Sequence, residues 1–189
     1  MKVFEYRDYD HYKEVQVAAN IKKLHVRWCS EATVEIIAQR YPDAKNIICH
    51  GARNGGEVRL FQKHYPEATV IGTDISHTAN DFSDMVEWDF HEVKEEWVGK
   101  FDLLYTNSFD HCYDPNKCLD TWIAQLNDNG ILCVELMQGA DNRSSEMDPF
   151  EISKQEYHQL LNERGYDTIG SWTIAATHGK SILVLSKRI

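Results

Sequence analysis

Residues 49–57 read CHGARNGGE, directly behind the apolar pair Ile47-Ile48 and ahead of a helix-patterned stretch at 56–65. Strand, tight turn and helix in that order form the unit on which parallel sheets are built. The turn presents free backbone N–H groups beyond the strand's carboxyl end, where phosphates and nucleosides bind. Gly51 lets the chain bend without a Cβ, and Gly55 or Gly56 lets the helix start pack close to sheet and ligand. The stretch matches neither the dinucleotide pattern G-x-G-x-x-G nor the P-loop pattern, and Arg53 stands where a third glycine is expected. Taken alone, it reads equally as a glycine-rich turn with no ligand.

Working outward, short apolar runs at 46–49, 69–72, 101–105 and 131–136 alternate with helical patterns at 56–65, 78–82, 93–98 and 116–126. Such alternation predicts β-α-β units around a parallel sheet. The end breaks the pattern. A helix over 153–164 stops at Gly165, and runs at 166–174 and 181–187 flank His178-Gly179, close enough for an antiparallel hairpin. Upstream, Val15, Val17, Ala18, Ile21 and Leu24 predict a helix over 14–23. A second helix over 30–40 has Ser30 as its N-cap and Tyr41-Pro42 as its stop.

A chain of 189 residues suits one domain. No apolar run approaches the roughly 18 residues of a membrane span, and the start, MKVFEYRD, lacks the apolar core of a secretory signal, so the cytoplasm is the expected compartment. Five cysteines, odd in number and without a C-x-x-C pair, argue against disulfides or a zinc knuckle. A net charge of −10 opposes a phosphate backbone, so no nucleic-acid partner is expected.

Asp74 ends the second run in TVIGTDIS, about twenty residues past the glycine turn, where nucleoside-binding sheets place a carboxylate for ribose hydroxyls. On its own it reads equally as a helix N-cap. VEWDFHE adds Asp89 at the end of a third short strand, able to accept from an adenine amino group, beside Phe90, able to cover the ring. A solvated acid and a core phenylalanine are the plain alternative.

Together these stretches resemble the class I S-adenosylmethionine-dependent methyltransferase superfamily over residues 45–188. CHGARNGGE stands for its first motif in a G-x-R-N-G variant, TVIGTDIS for its acidic second strand and VEWDF for its third. FDLLYTNSFDH and NDNGILCVE stand for its fourth and fifth. The resemblance implies an α/β fold: a Rossmann-like, doubly wound, seven-stranded sheet, mostly parallel with an antiparallel C-terminal hairpin strand. Residues 1–189 would form a single domain, a helical cap at 1–44 on a core at 45–189. It further implies S-adenosyl-L-methionine as cofactor and a small-molecule methyl acceptor.

The cofactor-binding residues it implies are Gly51, Ala52, Arg53, Asn54, Gly55, Glu57, Asp74, Ile75, Asp89, Phe90, Asn107 and Ser108. The family commonly has an acid at the position of Cys49 and glycine at that of Arg53. Arg53 could therefore reach the cofactor's carboxylate, or pair with Glu57 one turn on. Glu57 or backbone carbonyls would have to replace the missing acid at the cofactor's amino group.

Methyl transfer from a sulfonium is an in-line displacement in which the protein positions the partners and removes a proton where the nucleophile carries one. TNSFDHCYD offers His111 and Asp110 as the catalytic base or as groups orienting the acceptor, with helix capping the alternative for His111. The other histidines read as surface or packing residues. No metal is expected, since Asp110, Asp114 and Asp141 would form a site only by coincidence. YRDYDHY sets Tyr6, Tyr9 and Tyr12 near one face if helical, as a lid over the cofactor or as a packing strap. Two other function classes remain. A non-catalytic nucleoside-binding domain follows from the irregular first motif. A nicotinamide-dependent oxidoreductase requires a parallel sixth strand.

Overall fold

The computed structural model describes residues 1–138, 143–176 and 179–189. Its centre is a seven-stranded sheet built from β2 (Asn46–His50), β3 (Thr69–Asp74), β4 (Met85–Glu87), β5 (Phe101–Thr106), β6 (Leu126–Met137), β8 (Tyr166–Ala176) and β9 (Gly179–Arg188). The order across the sheet is β4-β3-β2-β5-β6-β9-β8. The β4-β3, β3-β2, β2-β5 and β5-β6 pairs are parallel, and the β6-β9 and β9-β8 pairs are antiparallel. This is the mostly parallel, Rossmann-like sheet expected, with its antiparallel C-terminal hairpin. The parallel sixth strand that a nicotinamide-dependent dehydrogenase calls for is not what β9 forms.

Strand side chains point alternately to the two faces, and both faces are buried. Ile48, Leu104, Leu132, Val134 and Val184 pack with Trp122 of α4 (Pro115–Gln125) and Tyr157 and Leu161 of α5 (Lys154–Asn162). Ile47, Cys49, Leu103, Cys133, Leu183 and Leu185 pack with Val34 and Ile37 of α2 (Glu31–Arg40) and Val58 and Phe61 of α3 (Gly56–His64). Helices on both sides explain why these strands are continuous apolar runs. The helix ends follow local chemistry. Ser30 caps α2 by accepting from Thr33 N, Asp114 caps α4 by accepting from Lys117 N, and Ser153 and Glu156 form a capping box on α5.

Several boundaries differ from the sequence expectations. The first helix, α1, runs Tyr9–Lys22 with Asp8 as N-cap, so it starts five residues early and leaves Tyr6 outside the helix. The segments near 78–82 and 93–98 are 3₁₀ turns at His77–Asp81 and Glu95–Trp97, too short to bury an amphipathic face. Missed entirely was a two-stranded ribbon: β1 (Lys2–Val3) pairs antiparallel with β7 (Phe150–Glu151). Two-residue strands carry no periodicity. Among the described residues no helix is long and apolar enough to cross a membrane.

His50, at the end of β2, is wholly buried, its Nδ1 2.7 Å from Thr73 Oγ1 and its Nε2 2.8 Å from Gln125 Oε1. Burial disfavours its cation and lowers its pKa from 6.5 to about 4. Between those values the unfolded chain takes up a proton that the folded chain refuses. The stability present above the unfolded value is therefore lost as pH falls towards 4, by roughly 3 kcal/mol for this group. Urea unfolding at pH 7 and pH 4.5 should show a smaller loss in His50→Gln than in the wild type.

Candidate functional site

The sheet order reverses between β2 and β5, and the turns leaving these strands part there to leave a crevice. Thr106 Oγ1 donates to His50 O at 3.1 Å, and Ser108 N donates to Thr106 Oγ1 at 3.0 Å, which ties the two strand exits together. Gly51 has φ +68°, and a Cβ there would lie 2.4 Å from Ser108 Oγ. Glycine is required at this position on both counts.

Two cavities open at the crevice. The larger, about 370 Å³, is lined by the strand exits at Asn107, Ser108, Asp110 and His111, by Glu57 of α3, and by Glu135, Met137 and Ser181 of β6 and β9. Lys23, Trp28, Arg53, Arg143 and Asp148 border it too. The smaller, about 50 Å³, lies between α1 and the carboxyl ends of β3 and β4, among Tyr12, Gln16, Asn20, Asp74, Ile75, Asp89 and Phe90. Lys23, Gly51, Arg53, Ser108 and His111 line both.

Most of the residues anticipated for the site meet here, and three do not. Ala52 is fully buried under the turn, Gly55 faces Met85 and Arg59, and Asn54 donates to Leu24 O at 2.7 Å while accepting from Gly56 N at 3.0 Å. None of the three lines either cavity. Turn residues that point away from the cleft shape the backbone and brace the linker between α1 and α2.

Arg53 lines both cavities but does not take the second of its two expected roles. Its Nη1 donates to Val26 O at 3.1 Å and Lys23 O at 3.5 Å, and no ion pair with Glu57 forms among the described residues. Its backbone is left-handed at φ +45°, a region that favours glycine. The guanidinium bonds offset that strain. Arg53→Gly should accordingly destabilise the fold less than Arg53→Ala, by about 1 kcal/mol in urea unfolding, because alanine keeps the strain and loses the bonds. Equal losses would place no strain at this residue.

Asp74 is buried, accepting from Arg53 N at Oδ2 and Ser76 N at Oδ1, both at 3.0 Å. Burial raises its carboxyl above the usual range. Asp89 lies two residues past β4, not at its end. Its Oδ1 accepts from His91 N at 2.9 Å and faces His91 Nδ1 at 2.7 Å, and its Oδ2 accepts from Tyr9 OH at 2.8 Å. Burial works against the Asp89 carboxylate, but His91 outweighs it and holds the group below the usual range.

His91 is neither a surface residue nor mere packing. It is fully buried, and its Nε2 accepts from Tyr113 N at 3.2 Å. His91, Cys112 and Cys118 carry potential metal donors within 4.8 Å of one another, as do Asp110, His111 and Asp148. In the first set His91 already uses both ring nitrogens. Asp114 belongs to neither set, being the cap of α4, and Asp141 lies outside the described residues.

His111 Nδ1 faces two acceptors, Gln16 Oε1 and Met147 O, both at 3.0 Å, which assigns its proton to Nδ1. Its Nε2 lies 3.9 Å from Asp110 Oδ1 and 3.8 Å from Asp148 Oδ1. Burial raises the Asp110 carboxyl, and its Oδ1 has no hydrogen-bond partner in the protein. Asn20 Nδ2 and Asn107 Nδ2 are likewise buried and unpartnered beside the cavities. Helix α1 and the segment before it reach across this region: Tyr12 OH donates to His111 O at 3.2 Å, and Tyr6 OH donates to Glu146 O.

No protein-family model and no curated protein matches the sequence. Solved structures do match. The Burkholderia thailandensis 1,6-didemethyltoxoflavin N1-methyltransferase, with bound 1,6-didemethyltoxoflavin and S-adenosylhomocysteine, superposes with a TM-score of 0.76 at 15% identity, over 98% of this chain and 92% of that one. This chain has the methyltransferase fold. The cyclase SpnF shares that fold at a TM-score of 0.72 and 10% identity, over 99% of this chain and 98% of that one. The glycopeptide N-methyltransferase MtfA, complexed with sinefungin, gives 0.66 at 12%, over 84% and 86%.

Sequence reasoning missed Glu135, Lys23, Trp28, Arg143 and Asp148. Glu135 alone had a usable signal, an acid interrupting the otherwise apolar run at 131–136. The rest sit on irregular segments whose place over the cleft depends on how the chain packs.

Proposed function

We propose that the protein is an S-adenosylmethionine-dependent methyltransferase acting on a small-molecule acceptor. The observation that carries this reading is the shared wall of the two cavities. One holds the carboxylates and aromatic ring suited to a nucleoside, and the other opens beside an imidazole with a free Nε2. The residues fit the cofactor: Asp74 and Asp89 are acceptors in the smaller cavity, and Asn20 Nδ2 and Asn107 Nδ2 are buried donors awaiting acceptors. Neighbouring structures of this fold contain S-adenosylhomocysteine or sinefungin. A net charge of −10 favours a small acceptor over a phosphate backbone.

When bound, the sulfonium supplies an electrophilic methyl group. In this reading Asp74 accepts from ribose hydroxyls, Phe90 covers the adenine and Asp89 takes its amino group. Glu57, buried on the far side of the glycine turn, replaces the acid missing at Cys49 and accepts from the ammonium. Arg53, Asn107 and Ser108 lie at the methionyl end. His111 holds its Nδ1 proton on Gln16 and Met147, so Nε2 receives the proton released by the acceptor, and Asp110 and Asp148 stabilise the imidazolium.

The smaller cavity falls well short of the roughly 300–1,000 Å³ of a small-molecule site, so α1 must shift to admit a nucleoside. Tyr9, on Asp89, and Tyr12, on His111, would then act as a lid. Isothermal titration tests the function. Micromolar binding of S-adenosylhomocysteine without NAD binding is expected, followed by methyl transfer to some member of a metabolite panel. NAD binding in its place refutes the reading, and cofactor binding without turnover reduces it to a nucleoside-binding domain.

A further inference from the structure

Glu135 lies near the carboxyl end of β6, only 4% exposed, and lines the larger cavity. Its Oε1 accepts from Tyr105 OH at 2.8 Å and its Oε2 from Ser181 Oγ at 2.7 Å. Those donors come from the two neighbouring strands, so the carboxylate is fixed by three rigid elements. Both donors are neutral. No Lys, Arg or His pairs with Glu135 among the described residues, although Lys23, Arg53 and Arg143 border the same cavity. Arg53 is spent on the carbonyls of Lys23 and Val26.

A carboxylate held out of water without a counter-charge is costly, and a glutamine could cross-link the same hydroxyls at less expense. A cavity-facing acid oriented by neutral donors is an arrangement that a cationic ligand completes. We propose that Glu135, positioned by Tyr105 and Ser181, binds a protonated amine or amidinium group of the acceptor and so restricts the enzyme to cationic acceptors. This rests on the methyltransferase reading. The cation is the anchoring group of the acceptor, and the atom that receives the methyl is a separate matter.

The test titrates 2-phenylethylamine and its neutral counterpart 2-phenylethanol into the wild-type complex with S-adenosylhomocysteine, and into the same complexes of Glu135→Gln and Ser181→Ala. The wild type is expected to prefer the amine by about tenfold or more, the scale of a charge-assisted hydrogen bond. Glu135→Gln should abolish that preference while binding S-adenosylhomocysteine unchanged, and Ser181→Ala, which keeps the charge, should retain most of it. No saturable amine binding, equal affinity for the two probes, or a preference that survives Glu135→Gln overturns the proposal. So does a Glu135→Gln variant that loses cofactor affinity instead, since the acid would then serve the cofactor. If Glu135→Gln does not fold, Glu135→Ala takes its place: loss of the preference upholds the assignment and its retention overturns it. Failure of the wild type to bind S-adenosylhomocysteine is a separate outcome, which strikes the methyltransferase reading itself.

Discussion

Replacing Asp74 by alanine is expected to weaken S-adenosylhomocysteine binding by about 1.5–3 kcal/mol, the worth of charge-assisted hydrogen bonds to ribose hydroxyls. The structure adds a second route to the same loss. Asp74 Oδ2 holds Arg53 N and Oδ1 holds Ser76 N, so the carboxylate also fixes the glycine turn on which the cofactor would rest. Asp74→Asn keeps only one acceptor atom and should fall between the wild type and alanine. Titration calorimetry on variants whose far-ultraviolet spectra match the wild type measures the effect. A folded Asp74→Ala protein with the parent's dissociation constant would remove the ribose assignment.

Substitution of His111 should produce the larger change, in turnover. Loss of a general base typically costs about 10²–10⁴-fold in rate. His111→Asn is the informative variant, because its amide can reproduce the Nδ1 donor that binds Gln16 and Met147 while nothing replaces Nε2. With an acceptor found in the metabolite panel, kcat is expected to fall to the same low level in His111→Asn and His111→Ala. Cofactor affinity should change little in the asparagine variant. Near-normal turnover in His111→Asn would make the residue a strut between α1 and the strand exit, with proton removal left to Asp110 or to solvent.

The parts of this protein that could be read without a structure are those whose cause is local. The runs at Asn46–His50, Thr69–Asp74 and Phe101–Thr106 are apolar because both faces of the sheet are covered, and that requirement is visible in composition. The caps at Ser30 and Ser153 act over three residues, and Gly51 is needed because its own φ is positive. The place of Asp74 at the crevice was legible for a similar reason, since it ends the apolar run that forms β3.

Sequence by itself therefore determined the succession of the main sheet's strands and the helices that cover it, the antiparallel ending and the location of the crevice. Tertiary structure alone decided what each polar side chain in the crevice touches. Arg53 and Asn54 sit in the glycine turn, yet they reach the α1–α2 linker, about thirty residues away in the chain. Asp89 meets Tyr9 across 80 residues, His111 meets Gln16 across 95, and Tyr105, Glu135 and Ser181 come from three strands. The physical reason is one of range. Backbone propensity and burial act over a few residues and leave a periodic trace, whereas a hydrogen bond between distant segments depends on packing that no short window of sequence contains.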